Sequence, residues 1–104
     1  MRAWHHCWGP NGTNTYNFQW DIINHQSVVA IMASEGREPF EPGVGQLLTS
    51  NSPERFVGAA RFTVDNISPH DGGVTFHLTV DWSNALTVWT TILVFDEVQA
   101  GMNA

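Results

Sequence analysis

Asp65 and His77, set beside each other, are of types that suit acid–base work. An imidazole held by a carboxylate is an oriented general base, and Arg61 or Asp81 alongside would lend it a charge. The same groups have a second use. With Thr79 and Trp89 they would form a recognition face for a small polar ligand or a carbohydrate. A flat indole covers the apolar C–H side of a sugar ring, while carboxylates, guanidinium and hydroxyls bond its hydroxyl groups. No serine or cysteine nearby has a recognisable strand–turn nucleophile setting. Catalysis by a small hydrolase or isomerase using the Asp65–His77 pair therefore ranks behind binding. For Trp89 the competing expectation is packing under a loop or against a second subunit, with Leu93 and Phe95.

His5-His6-Cys7 supplies zinc-type ligands. Adjacent residues of an extended chain point to opposite sides, and no second Cys or His pair stands at ligand spacing. Asp65, Asp71 and Asp81 lack the dense oxygen-ligand loop of a calcium site. The expectation is no metal and no cofactor.

The elements that must position these groups are strands. Tyr16, Phe18, Trp20 and Ile22 alternate with Thr15, Asn17, Gln19 and Asp21; Val74, Phe76, Leu78, Val80 and Trp82 alternate with Thr75, His77, Thr79 and Asp81. Period-two alternation puts one side on a core and the other toward water. Ala60, Phe62 and Val64 repeat the pattern more briefly, and Ser27 to Ala33 is a compact apolar run. Leu86 to Asp96 is apolar on both faces, which requires cover on both. Pro69-His70-Asp71-Gly72-Gly73 and Ser83-Asn84-Ala85 read as turns joining the last three strands in a meander. Core-facing residues must pair with core-facing residues. One allowed register sets Asp65 opposite His77, Arg61 opposite Asp81 and Thr63 opposite Thr79, with opposite charges facing. Trp4, Trp8, Phe18 and Trp20 are expected to pack together. The Gly-, Pro- and Glu-rich stretch from Ala33 to Phe56 reads as loop, and residues 44–50 fit a short strand or a helical turn equally.

These elements predict a single all-β domain over 1–104, with residues 1–12 and 97–104 as loose termini. It would be an antiparallel sandwich or half-barrel of about five to seven short strands. Charged residues make up 13% of the chain, about half the roughly 25% of an ordinary globular domain. All four basic side chains are arginines, and the net charge is −6. That balance disfavours nucleic acid and anionic membrane surfaces, which need clustered Lys and Arg. Low charge density and the doubly apolar last strand favour self-association into a dimer or larger assembly. Cys7 is the only cysteine, and the N-terminal residues contain no apolar signal-peptide core. Nor does any apolar run approach the roughly 18 residues of a membrane helix. The cytoplasm is the expected compartment.

From Gly73-Val74-Thr75-Phe76-His77-Leu78 through Asp81-Trp82-Ser83 to Trp89, the sequence resembles the end of the small hexameric β-sandwich lectins of the H-type. Their pattern has a Gly–aromatic strand, a Thr-Trp-Ser turn and a later Trp. Asp81 stands in place of the Thr, and the next strand departs from the pattern, so no binding residue is carried over. The expected role is a non-catalytic binding or assembly domain, led by recognition of a small polar ligand or carbohydrate on an exposed sheet face. The alternative is a homo-oligomeric interaction protein with that face buried.

Overall fold

Alternating apolar side chains become strands here because a strand can bury one face and leave the other to water. The computed structural model describes residues 1–37, 54–95 and 98–103. Its strands are β1 (Arg2–Trp8), β2 (Gly12–Gln19), β3 (Val28–Glu35), β4 (Arg61–His70), β5 (Gly73–Asp81) and β6 (Val88–Phe95). They form two three-stranded sheets, ordered β1-β6-β3 and β2-β5-β4, with every pairing antiparallel. The inner faces meet in one core, built from Val74, Phe76, Leu78 and Val80 of β5 and Val88, Ile92 and Val94 of β6. The domain is thus an all-β sandwich.

The β4–β5 pair has the expected register: Arg61 faces Asp81, Thr63 faces Thr79, and Asp65 faces His77. A two-residue turn, Asp71-Gly72, closes this hairpin, with Gly72 at φ 89°. Only glycine reaches that conformation without strain. β4 runs on past a bulge between Asp65 and Ser68 to His70. Pro69 is tolerated within it because β4 is an edge strand.

The expected three-strand meander is corrected. β6 leaves the β4–β5 sheet and becomes the centre of the other one. The second edge of β5 is already occupied by β2, with Tyr16 opposite Phe76, so β6 pairs with β1 and β3 instead. Its two apolar faces follow from that central position. Val88, Thr90, Ile92 and Val94 turn into the core, while Trp89, Thr91, Leu93 and Phe95 form the sheet's outer surface.

The N-terminal residues are not loose, as β1 shows. Trp4, His6 and Trp8 point inward onto β2, and His5 and Cys7 point outward. Trp4 lies 5.6 Å from Phe18 and 5.4 Å from Trp20, and Trp8 lies 4.2 Å from Tyr16, centroid to centroid. These separations suit edge-on and tilted aromatic pairs. Residues 98–103 have no regular secondary structure. Residues 44–50 and most of the Glu35–Pro42 loop lie outside the described residues. Among the described residues no helix is long and apolar enough to cross a membrane.

A polar sheet face as the candidate functional site

The outer face of the β2-β5-β4 sheet carries the polar half of each alternation. Register arranges it in rows: Thr13–Thr79–Thr63, then Thr15–His77–Asp65, then Asn17–Thr75–Ser68. Thr13 and Thr79 bond through their hydroxyls at 3.1 Å, and His70 Nε2 lies 2.8 Å from Asn17 Oδ1. Arg61 and Asp81 stand opposite each other where the strands end.

At that end the surface opens into a depression of about 640 Å³, lined among others by Arg61, Thr63, Thr79, Asp81, Trp82 and Ser83. Among the described residues Trp82 is its one aromatic wall. The strand alternation assigned Trp82 to the core, yet it is 45% exposed. Its backbone N–H turns back onto the Val80 carbonyl at 2.9 Å, so β5 stops at Asp81 and the indole leaves the inward series. The turn residues Ser83-Asn84 directly after it were the signal in the sequence. Although Arg61 and Asp81 face each other, neither side chain has a hydrogen-bond or ion-pair partner among the described residues. A guanidinium, a carboxylate, hydroxyls and an open indole are the donors, acceptors and apolar plate that a polyhydroxylated ring requires.

Further along β5, His77 Nδ1 lies 3.3 Å from Asp65 Oδ1. Both side chains are substantially exposed to solvent. Asn66, in the bulge with φ 50°, brings its carboxamide to 3.5 Å from the same Nδ1. Bulges re-aim side chains in this way beside functional sites. Sequence alternation cannot reveal a bulge, so Asn66 was not legible there.

Five of the six expected site residues, Arg61, Asp65, His77, Thr79 and Asp81, therefore share one face. Trp89 does not. It lies on the outer side of the other sheet and is only 3% exposed. Its indole N–H donates to the Arg37 carbonyl at 2.8 Å, beneath the bridge that pairs Gly36 with Arg55. Of the two expectations for Trp89, packing under a loop describes its position. Gly36 is required there, because a Cβ would collide with the Trp89 ring and the Glu54 carbonyl.

The His5-His6-Cys7 run splits as alternation demands. His5 Nδ1 meets Thr91 Oγ1 at 2.9 Å on the outside. His6 lies inside, against the rings of Trp8 at 4.6 Å and Phe18 at 5.1 Å. Burial holds both imidazoles below their ordinary pKa, and the charge of Arg55 adds to this at His5. Among the described residues no three His, Cys, Asp or Glu side chains gather around one point. Comparison with protein-family models, curated proteins and solved structures finds no match for this chain.

Proposed function

We propose that this domain is a non-catalytic binding module that holds a hydroxyl-rich ligand of the carbohydrate type at the Arg61–Asp81–Trp82 depression. The observation that carries this reading is the exposed Trp82 indole beside a guanidinium and a carboxylate that have no partners among the described residues. Trp82 replaces Trp89 as the stacking plate. Asp81 accepts from a pair of ring hydroxyls, Arg61 donates to the oxygens of another, and Thr63 and Thr79 offer hydroxyls beneath them. The test is calorimetric titration of a panel of neutral sugars. Wild type binds at least one of them, and Trp82→Ala abolishes that binding without unfolding the domain. Unchanged affinity in Trp82→Ala overturns the assignment.

A second reading, compatible with the first, concerns the outer face of the β1-β6-β3 sheet. No strand residue on that face carries a formal charge, the Arg55 guanidinium reaches over it to Thr91 at 3.4 Å, and Val28 and Met32 are 43% and 55% exposed. Such a surface favours contact with a second copy of the chain, since little repulsion opposes it. Met32→Glu would then convert an assembled species into a monomer of 11.6 kDa in light scattering. A wild-type protein already monomeric at micromolar concentration removes this reading.

A further inference from the structure

The depression occupies one end of the outer face of the β2-β5-β4 sheet, and the face continues from there along the strands. Going back along β5 from Asp81, the next outward residue is Thr79, flanked by Thr13 and Thr63. The one after that is His77, flanked by Thr15 and Asp65. Asp81 and His77 are four residues apart, or about 13 Å at ~3.3 Å per residue. That span exceeds a single sugar ring. Between them stand only threonines, which project too little to obstruct a molecule lying along the strand.

At the far end the chemistry changes. The bulge brings a carboxylate, an imidazole and a carboxamide to one place: Asp65 at 3.3 Å and Asn66 at 3.5 Å from His77 Nδ1. Both neighbours address the same ring nitrogen. His77 Nε2 has no partner among the described residues and is left for a ligand. If Nδ1 carries the proton toward Asp65, Nε2 accepts from a ligand hydroxyl; in the other tautomer it donates to one. The Asn66 carboxamide adds one donor and one acceptor. Asn66 is also the only non-glycine residue with positive φ among the described residues. Backbone in that region is held in place by its surroundings and concentrates at binding sites.

The geometry points to an extended ligand: an oligosaccharide lying along β5, stacked on Trp82 at one end and read at the other by the Asp65–His77–Asn66 cluster. This rests on the sugar-binding reading of the depression and specifies its ligand class, a chain rather than a single ring.

The experiment titrates neutral gluco-, manno- and N-acetylglucosamine series, from mono- to hexasaccharide, against wild type, Trp82→Ala, His77→Ala and Asn66→Gly. Asn66→Gly removes the carboxamide at a φ that glycine adopts freely, so it keeps the fold should His77→Ala disturb it. Circular dichroism melts verify all variants. Wild-type affinity is expected to rise from monosaccharide to trisaccharide and then level off. His77→Ala and Asn66→Gly keep the monosaccharide affinity and lose the rise, about 3- to 10-fold at the trisaccharide, the effect of roughly one hydrogen bond. Trp82→Ala loses every member of the series. Wild-type affinity that is flat with length, with Trp82→Ala still inactive, overturns the extended site and leaves the sugar site standing. Equal weakening of mono- and trisaccharide by His77→Ala also overturns it, because the cluster would then belong to a single-ring site. Absence of binding to any member by wild type removes both readings.

Discussion

Replacing Trp89 by alanine isolates the feature that most separates this fold from an open sheet. The side chain is 3% exposed and its N–H bonds to the Arg37 carbonyl at 2.8 Å. Truncation removes a large buried aromatic, which costs about 3–5 kcal/mol. Part of that loss belongs to the hydrogen bond, and Trp89→Phe measures it. The ring contact survives, the carbonyl loses its donor, and the expected cost is about 1–2 kcal/mol. A domain near 100 residues shifts its Tm by about 4–8 °C per kcal/mol. Trp89→Ala therefore melts at least about 12 °C lower, and Trp89→Phe about 4–16 °C lower. Urea unfolding followed by far-ultraviolet circular dichroism is the assay, because five tryptophans make fluorescence ambiguous. Gly36→Ala, which forces a Cβ against the same ring, lowers the midpoint as well. If Trp89→Ala costs under about 1 kcal/mol, a value typical of surface positions, the ring is not buried under the Gly36–Arg55 bridge and the reasoning fails.

Thr90→Val is expected to destabilise by about 1–3 kcal/mol despite its matched shape, because the Trp8 indole N–H at 2.8 Å loses its acceptor inside the sandwich; a neutral result in urea unfolding would contradict this. Hydrogen bonds from the His25 ring and backbone N–H hold the Asp71 carboxyl below its ordinary pKa. A depressed carboxyl contributes stability above its unfolded pKa and loses it as pH falls through the folded value. Asp71→Asn should therefore flatten the acid side of the stability profile below about pH 4, read as urea midpoints against pH. His6 has the opposite chemistry and the same sign: burial lowers its pKa, so protonation favours the unfolded chain and stability falls as pH drops below about 6.5. His6→Phe should remove that loss, and an unchanged midpoint profile between neutral and mildly acidic pH would count against a half-buried imidazole with a lowered pKa.

The two strands most readable in the sequence are those with one wet face. β2 and β5 alternate cleanly, and the parity rule with facing charges was enough to place Asp65 opposite His77. β1 was hidden because its inward series contains His6, a polar residue held among aromatic rings, while its outward series is nearly as apolar. The placement of β6 was not legible, since its sequence says that both faces are covered and not by which strands. That decision belongs to β2, which occupies the free edge of β5 from far earlier in the chain. At the site, the charged and hydroxyl residues follow from alternation, whereas Trp82 and Asn66 depend on where a strand stops and where it bulges. Those are backbone events that side-chain periodicity does not encode.

The pairing of β1 with β6 joins Arg2 to Val94 and Trp8 to Val88, residues separated by most of the chain. A contact of that span is slow to find, because the entropy of closing the loop must be met before any interaction rewards it. The β4–β5 hairpin, closed by two residues, meets no such cost. Sheet β1-β6-β3 has no partial version, since β6 is the strand to which both others bond. β1 and β3 therefore have no strand of their own sheet to bond until β6 is made. During that interval Trp4, Trp8 and the apolar run of β3 lie open to other molecules. Misassembly then begins from the half of the sandwich whose strands are paired last.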